Sequence, residues 1–254
     1  MCRIDRSRTE RVSPELYWLD PADPPDSFPD SRHALVDPDG LLAVGGDLSI
    51  ERLLAAYRRG IFPWYQDDQP ILWWTPDPRN LLFPRELHVS RSLHRTLRRD
   101  TFTLSVDRDF AAVIAACAAD RNTSGTWITR EMQAAYCALH ARGHAHSIET
   151  WQDGELVGGI YGVNIGRVFF GESMFSRRSD ASKVALVRLV GLCHELAIGV
   201  IDCQLASAHL ATLGARSLTR TEFETLLRGL TSYPDPQPWQ RDPIRTSEIR
   251  IETA

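Results

Sequence analysis

The sequence predicts an α+β protein, because helix and strand patterns are mixed along the chain and one group of strands is consecutive. Apolar residues recur at helical spacing over residues 129–142, where Thr129 can cap the helix start. Three strand patterns follow at residues 145–152, 155–165 and 167–175, separated by an Asp153-Gly154 turn and a turn at Gly166. We therefore expect an antiparallel meander inside a mixed sheet flanked by helices.

Upstream of this group, the sequence predicts an N-terminal extension at residues 1–27, poorly ordered, and a small N-terminal domain at residues 28–78. In that domain Ser49 can cap a helix that ends at Gly60. The next segment, IFPWYQDDQPILWWTPDPR, is dense in aromatic residues and prolines, which favours an irregular structure with a boundary near Pro78 and Arg79.

The larger domain is predicted to span residues 79–232, with residues 233–254 as a C-terminal tail. Besides the meander and its preceding helix, the remaining patterns indicate helices and strands in alternation and then two short helices. The predicted helices are 91–98, 108–118 and 180–197, and the predicted strands are 101–106 and 200–205.

Composition bounds the class of protein. With 43% hydrophobic and 24% charged residues, the chain can bury a substantial core. No apolar run approaches a membrane span and the N-terminus lacks the apolar centre of a signal peptide, so we expect a cytoplasmic protein. Without a long heptad pattern, a monomer is expected. The five cysteines have no CxxC spacing, which favours free thiols over zinc ligands or disulfides.

The net charge of −4 does not indicate a nucleic-acid binder, but one local segment is strongly basic. Ser90 can cap a short helix on which arginines recur at spacings of three and four, giving one basic stripe. The candidate phosphate-binding residues are Arg79, Arg91, Arg95, Arg98 and Arg99. The alternative is a solvated helix face.

Eight short words occur in a fixed order along the chain: GLLAVGGDLS, RGIFPW, ILWWTPDPR, TWI, GHAHSIE, GESMFSR, ASK and IDCQ. Together they resemble the leucyl/phenylalanyl-tRNA–protein transferase family, from about Gly40 to Phe223. The resemblance implies a GNAT-type catalytic domain. It also implies transfer of leucine or phenylalanine, and methionine less well, from aminoacyl-tRNA to proteins with N-terminal Arg or Lys, which marks them for N-degron proteolysis.

The same resemblance implies the catalytic residues. Asp202 and Gln204 of the IDCQ word are associated with catalysis, and alternation in a strand would put both side chains on one face. We expect Gln204 to orient the attacking amine while Asp202 orders Gln204. The alternative is that Asp202 only caps or pairs locally. Glu172 of GESMFSR is expected to bind Gln204 or an ammonium group, or alternatively to pair with Lys183 or an arginine.

Substrate-binding residues also follow from the family positions. Trp64 and Trp127 are expected to hold the terminal adenosine and the aminoacyl group, with Tyr136 nearby on the helix. Trp73 and Trp74 are equally consistent with core packing. An apolar donor pocket is expected from Phe169, Ile160 and Leu189.

No cofactor or metal is expected, because aminolysis of an activated ester requires neither. His144 and His146 share a strand face, but two histidines without a third ligand are weak evidence for a metal. One competing hypothesis is an acetyl-CoA-dependent GNAT acetyltransferase, although the junction SMFSRRSDASKVAL contains no glycine for a pyrophosphate loop. Another is a non-catalytic RNA-binding module, which leaves Glu172, Asp202 and Gln204 without a purpose.

Overall fold

The computed structural model describes residues 16–120, 127–239 and 242–249. Its N-terminal part is a four-stranded sheet with one helix, in the strand order β1-β2-β4-β3. These elements are β1 (Tyr17–Leu19), β2 (Leu41–Gly45), α1 (Ile50–Arg58), β3 (Phe62–Pro63) and β4 (Leu72–Trp74).

This sheet corrects the prediction of an irregular domain that begins at residue 28. β1 pairs in parallel with β2, with Trp18 opposite Val44, so part of the predicted N-terminal extension belongs to the sheet. Residues 1–15 lie outside the described ranges. The strands escaped prediction because β1, β3 and β4 have only two or three residues each, too few to show an alternating pattern.

The rest of the chain forms an eight-stranded mixed sheet in the order β11-β5-β10-β9-β8-β7-β6-β12. All neighbouring pairs are antiparallel except β9 and β10. The strands are β5 (Arg79–Leu82), β6 (Thr103–Val106), β7 (Ala145–Gln152), β8 (Glu155–Ile165), β9 (Val168–Ser176), β10 (Val200–Asp202), β11 (Arg216–Leu218) and β12 (Ile244–Arg245). The helices are α2 (Arg91–Arg99), α3 (Phe110–Asp120), α4 (Arg130–Ala141), α5 (Ala181–Glu195), α6 (Ala208–Thr212) and α7 (Arg220–Thr231). Single 3-10 turns lie at Ser31–His33, Pro84–Glu86 and Thr246–Glu248.

The predicted α+β class, the meander and the helix starts are confirmed. The side chains of Ser49, Ser90 and Thr129 each accept a backbone hydrogen bond at the start of α1, α2 and α4. The turn at Asp153 and Gly154 has positive φ at both residues, as a two-residue hairpin loop requires. The predicted strand 200–205 is wrong beyond Asp202, because Gln204 has φ +55° and leaves the strand. β11 and β12 were not predicted.

The predicted C-terminal tail is also corrected, because its described residues pack on the larger sheet. β12 pairs with β6, with Ile244 opposite Leu104. Trp239 is 1% exposed and stacks on His146, with ring centroids 4.2 Å apart.

Two apolar clusters cover the two faces of the eight-stranded sheet. One holds residues of α2 and α5, including Leu93 and Leu189. The other holds residues of α3, α4 and α7 together with the N-terminal part, including Tyr57 of α1 and Tyr136 of α4. The N-terminal sheet therefore shares a continuous core with the larger sheet.

Candidate active site

The carboxyl end of β10 lies beside the middle of the parallel strand β9, and the predicted catalytic residues are here. Asp202, the last residue of β10, is opposite Phe170 of β9. A β-bulge follows in β9, where Gly162 pairs with Gly171 but the adjacent Tyr161 pairs with Ser173. Glu172 is the extra residue. Because a bulge interrupts the alternation of side chains, it re-aims Glu172 within an otherwise apolar strand.

Two buried tyrosines hold the Glu172 carboxylate. Tyr57 donates a hydrogen bond to Oε1 at 2.7 Å and Tyr136 donates one to Oε2 at 3.0 Å, and the two hydroxyls contact each other. Burial raises the pKa of Glu172 to about 7, although these two hydrogen bonds act to lower it. Burial also raises the pKa of both tyrosines, so both hydroxyls remain donors.

These contacts correct two predictions. Lys183 pairs with Asp180 at 2.9 Å, so the alternative of a Glu172–Lys183 ion pair is wrong. Tyr136 is fully buried, and its hydroxyl is engaged with Glu172 and Tyr57. Tyr136 therefore supports Glu172 from the core. It lines neither of the two cavities described below, which disagrees with its prediction as a substrate-binding residue.

Asp202 forms a fully buried ion pair with Arg79. The Arg79 Nε lies 2.8 Å from Asp202 Oδ1, its second guanidinium nitrogen lies 2.6 Å from Oδ2, and neither side chain is exposed. The Arg79 guanidinium also lies between the Phe62 and Phe223 rings, 4.9 and 4.7 Å from their centroids. The prediction that Arg79 binds tRNA phosphate is therefore wrong, because no phosphate reaches a side chain enclosed in this way.

Gln204 follows Asp202 in a left-handed backbone conformation, with φ +55°. Its backbone N–H donates to Asp202 Oδ1 at 3.0 Å, and its carbonyl accepts from the Asn80 N–H at 3.0 Å. Its terminal amide faces the carbonyls of Gly171 and Cys203, and we assign the amide nitrogen to this side because it can then donate to both, at 3.0 and 3.1 Å, whereas the oxygen would face only acceptors. The amide oxygen of Gln204 is then left to accept a hydrogen bond from another group. The predicted alternation of Asp202 and Gln204 on one strand face is wrong, but the prediction that Asp202 orders Gln204 agrees with these contacts.

A cavity of about 240 Å³ opens on one side of Gln204. Its lining combines apolar side chains with the polar residues of the strand ends. The lining residues are Ile160, Gly171, Glu172, Ser173, Met174, Leu186, Ile201, Cys203, Gln204, Ser207, His209 and Leu210. Ile160, which was predicted to belong to an apolar donor pocket, lines this cavity. Phe169 and Leu189 are fully buried in the apolar cluster behind it and are not in the wall. The sequence patterns did not identify Met174, Leu186, Ile201 and Leu210.

A second cavity, the tryptophan cleft, opens on the other side of Gln204. Phe62, Pro63, Trp64, Trp127 and Leu205 line it, and Glu172, Cys203 and Gln204 line both cavities. Trp64 is 41% exposed and packs against Trp74, whose Nε1 donates to the Trp64 carbonyl at 2.7 Å. Trp73 is fully buried, in agreement with its interpretation as a core residue. Burial raises the pKa of Cys203 to about 12, so its thiol stays protonated beside both cavities.

The basic stripe on α2 is exposed. Arg91, Arg95, Arg98 and Arg99 all face solvent, and no acidic residue in the described ranges pairs with them. On the opposite side of the helix, Thr96 donates to Asp180 at 2.9 Å, just before α5. Arg177 and Arg178 precede Asp180 and are also exposed, so they extend the positive charge beside the stripe.

The histidines of GHAHSIE have structural partners. His144 Nδ1 lies 3.2 Å from Asp235, and His146 Nδ1 lies 2.7 Å from Asp107. Within the residues that the structure describes, no group of three potential ligands surrounds a metal position. Cys117, Cys137, Cys193 and Cys203 are free thiols, and Cys2 lies outside the described ranges. No helix in the described part of the chain is long and apolar enough to cross a bilayer.

Comparison with known proteins decides the family. The sequence model for "Leucyl/phenylalanyl-tRNA protein transferase" matches residues 81–228, and that for the N-terminal domain of the same family matches residues 46–77. The chain belongs to the leucyl/phenylalanyl-tRNA–protein transferase family. As a member, it is an aminoacyltransferase, which decides against the acetyl-CoA-dependent and non-catalytic hypotheses.

Individual relatives of the same name agree. The leucyl/phenylalanyl-tRNA–protein transferase of Azotobacter vinelandii is 59% identical over 214 residues, covering 84% of this chain and 95% of the relative. That of Methylococcus capsulatus is 55% identical over 230 residues, covering 90% and 98%. Among solved structures, L-PGS from Bacillus licheniformis aligns at 11% identity with a TM-score of 0.38, over 63% of this chain and 52% of that one. That similarity is too weak to assign a fold to this transferase.

Sequence reasoning missed Tyr57 altogether and did not identify Asp202 as the partner of Arg79. Tyr57 lies 115 residues from Glu172 in the chain, and Arg79 lies 123 residues from Asp202. Arg79 ends the word ILWWTPDPR, whereas Tyr57 lies in none of the eight words, and no local pattern indicates the partner of either residue. The contacts arise only when α1 packs against β8 and α4 and when β5 pairs with β10.

Proposed function

We propose that this chain transfers leucine or phenylalanine, and methionine less well, from aminoacyl-tRNA to the α-amine of proteins that begin with Arg or Lys. Such transfer would mark the acceptor proteins for N-degron proteolysis. The observation that carries the proposal is the pair of cavities that meet at Glu172, Cys203 and Gln204. An aminoacyl ester has two parts, a side chain and a terminal adenosine, and each cavity suits one of them.

The mainly apolar cavity suits the donor side chain. Ile160, Met174, Leu186, Ile201 and Leu210 give it an unbranched or branched aliphatic surface without a charged side chain other than Glu172. Apolar selection by size separates similar side chains by only about 1–3 kcal/mol, which is why some methionine transfer is expected. Phe169 and Leu189 do not line the cavity. They would influence its selectivity indirectly, because the side chains that line it pack against the same apolar cluster.

The tryptophan cleft suits the terminal adenosine. Trp64 and Trp127 both line it, and an aromatic face contributes about 1–3 kcal/mol per stacked base without reading its sequence. Since every tRNA ends in adenosine, this contact would be common to all donors. The ester carbon would then lie where the cavities join, beside Gln204.

Aminolysis at this point needs an oriented amine and a route for its proton. The attacking nitrogen forms a bond to the ester carbon, the carbon–oxygen bond to ribose breaks, and the ribose oxygen receives a proton. The Gln204 amide oxygen would accept a hydrogen bond from the amine, while the Glu172 carboxylate would stabilise the ammonium that develops. An α-amine has a pKa near 8, so a neutral fraction is already present at pH 7 and no strong base is required.

Phosphate contacts would come from the α2 stripe, Arg91, Arg95, Arg98 and Arg99, which is exposed and without acidic partners in the described ranges. The acceptor stem of tRNA presents a dense row of phosphates, and arginines bind them through charge-assisted hydrogen bonds. All of the residues placed in the site come from one chain, so we propose that a monomer suffices. We also propose a cytoplasmic location, because charged tRNA is found there, and a GNAT-type fold for the larger sheet.

A direct transfer assay tests the proposed function. The chain is mixed with leucyl-, phenylalanyl- or methionyl-tRNA and a peptide that begins with Arg, without acetyl-CoA. We expect leucine and phenylalanine to appear on the peptide N-terminus, and methionine at a lower rate. Transfer that depended on acetyl-CoA, or none from any of the three tRNAs at salt concentrations that permit binding, would contradict the proposal.

A further inference from the structure

Strand β9 extends beyond the end of its parallel neighbour β10. β10 ends at Asp202, opposite Phe170, whereas β9 continues to Ser176. Gln204 turns the chain away from β9, and its terminal amide faces the Gly171 carbonyl. Within the described residues, no strand pairs with β9 on this side beyond Phe170. The path that a longer β10 would follow, here called the open track, is therefore free.

The pairing of β9 with β8 shows which backbone groups face the open track. The Arg177 N–H donates to the Val157 carbonyl of β8 at 2.7 Å, so these two residues form a hydrogen-bonded pair. In an antiparallel ladder such pairs alternate with non-hydrogen-bonded pairs, so Phe175 bonds to β8 whereas Met174 and Ser176 do not. The backbone N–H and carbonyl groups of Met174 and Ser176 therefore point to the open track, and no residue in the described ranges bonds to them there.

This free edge lies inside the mainly apolar cavity. Met174 lines the cavity from β9, and Ser207, His209 and Leu210 line it from the loop and helix that follow β10. An extended peptide can add to a free strand edge through its main chain, so the contact does not depend on the peptide's sequence. A substrate that must be accepted with many different sequences fits such an edge.

The two cavities leave the open track to the acceptor protein. Leu186 and Ile201 of the mainly apolar cavity belong to the apolar cluster on one face of the sheet, whereas Phe62 of the tryptophan cleft belongs to the cluster on the other face. A donor that fills both cavities would cross the sheet beside Gln204. The acceptor must then approach the ester within the plane of the sheet, which is the direction of the open track.

We propose that the first three residues of the acceptor protein bind in the open track as a short strand parallel to β9. The inference rests on the proposed transfer reaction and assigns how that reaction holds its acceptor. The acceptor's first residue lies opposite Ser173 with its α-amine beside Glu172, and its third residue lies opposite Phe175. In a parallel ladder of this register, the first carbonyl accepts from the Met174 N–H, and the third N–H donates to the Met174 carbonyl. The third carbonyl accepts from the Ser176 N–H.

Peptides with a single ester bond in the backbone test this pairing. An ester removes one N–H and keeps the length of the chain. A peptide that begins with Arg is compared with analogues that carry the ester at the second, third or sixth residue. The third N–H is the one that bonds to β9, so kcat/KM should fall about two- to tenfold for that analogue. The ester at the second residue only weakens a carbonyl and should cost less, and the ester at the sixth, beyond the end of β9, should cost nothing.

Variants of Ser176 test the same pairing from the protein side. The Ser176 hydroxyl donates to the Arg178 carbonyl at 2.8 Å and accepts from the Ser182 N–H at 3.3 Å. Ser176→Ala and Ser176→Pro both lose this hydroxyl, but only proline also loses the N–H that faces the open track. The ratio of kcat/KM for the Arg peptide to that for argininamide, which has no third residue, should be about two- to tenfold lower in Ser176→Pro than in Ser176→Ala. Urea midpoints report whether both variants are folded, and the ester peptides decide if Ser176→Pro is not.

The outcomes separate this binding mode from the proposed function. A wild type that transfers neither to the all-amide peptide nor to argininamide contradicts the proposed function, and this binding mode with it. If the third-residue ester is as good an acceptor as the all-amide peptide, or if the second- or sixth-residue ester loses as much, the strand pairing is overturned while the transferase activity stands. Equal ratios in the two folded Ser176 variants overturn it as well.

Discussion

Gln204 shows how a single backbone angle builds the site. A non-glycine residue with φ +55° is strained by about 1 kcal/mol or more, and the surrounding contacts must hold it there. Asp202 does so, because its Oδ1 accepts the Gln204 N–H at 3.0 Å while the same carboxylate is fixed by Arg79. Asp202 is thus a positioning residue, since its fully buried side chain cannot contact a substrate.

Substitutions at Gln204 should therefore affect mainly the transfer rate, whereas substitutions at Asp202 should also affect the stability of the fold. Gln204→Ala should lower kcat about 100-fold by misplacing the amine, with little change in the urea midpoint. Asp202→Asn leaves the Arg79 charge buried without its partner, so it should also destabilise the fold by about 3–5 kcal/mol. Transfer rates and urea midpoints of both variants check this.

The pH dependence of the Gln204→Ala variant tests its role further. If Gln204 only orients an amine, raising the pH toward 9 supplies neutral amine without restoring the rate. Recovery at high pH would show instead that the variant is defective in proton removal.

Glu172 should give the fold a measurable pH dependence. Its pKa is raised from 4.5 to about 7 in the folded chain, so between these values the folded state holds a proton that the unfolded state has released. The free energy of unfolding must then fall as the pH rises from about 4.5 to 7 and level off above, by at most about 3 kcal/mol.

Urea midpoints between pH 5 and 8 measure this effect. The Glu172→Gln variant should lack that part of the decline, because glutamine is neutral throughout. Burial also raises the pKa of Glu149, so part of the decline should remain in the variant, and only the difference between the two curves reports Glu172. Identical curves would mean that Glu172 is ionised across this range.

At the scale of elements, α2 has a buried apolar face and an exposed basic face. Leu93 and Leu97 are buried, whereas Arg91, Arg95 and Arg98 are exposed. Replacing these three arginines by Ala should weaken use of full-length tRNA. It should also reduce the log-log salt slope by a little under one for each phosphate that the protein no longer neutralises. The rate of transfer from a short aminoacyl-adenosine mimic should not change, because the mimic lacks the acceptor-stem phosphates.

A matched triple variant controls for removal of charge alone. Arg58, Arg142 and Arg228 are exposed on other helices or helix ends, and changing them to Ala should leave the salt slope at its wild-type value. If the α2 variant also keeps the wild-type slope, the stripe is only a solvated helix face.

Elements were predictable from sequence where the signal is local. Caps at Ser49, Ser90 and Thr129 and the turn at Asp153 and Gly154 fix helix starts and hairpins within a few residues of chain. The bulge at Glu172 was not predictable, because it depends on the register of β9 against β8. Family words located Glu172, Asp202 and Gln204, but they did not indicate that Asp202 is enclosed by Arg79. Pairings across more than 100 residues carry no periodic signal.

At the scale of the molecule, the site depends on both sheets. Tyr57 comes from α1 of the N-terminal part, Tyr136 and Glu172 come from the larger part, and the three form one hydrogen-bonded group. The N-terminal part also supplies Phe62 and Trp64 to the tryptophan cleft. A chain without residues 16–78 would therefore lack a partner of Glu172 and one wall of the cleft, so the two parts function as one unit.

The C-terminal segment closes the opposite end of the larger sheet, although the family match ends at residue 228. Trp239 is 1% exposed, its Nε1 donates to Asn164 Oδ1 at 3.3 Å, and its ring lies 5.6 Å from that of Phe169. Phe169 lies behind the cavity that we propose for the donor side chain, hereafter the donor cavity. Its contact with Trp239 therefore connects the C-terminal segment to the site.

Trp239→Ala should consequently destabilise the fold by about 3–5 kcal/mol, the usual cost of deleting a buried aromatic ring. Trp18, which is 67% exposed on the edge strand β1, is the matched control, and its replacement by Ala should change the urea midpoint little. If Phe169 relaxes into the vacated space, the wall of the donor cavity shifts, and the ratio of leucine to phenylalanine transfer should change in Trp239→Ala at temperatures where it is folded. Equal midpoints for the two variants would show that the C-terminal segment only lies on the sheet without stabilising it.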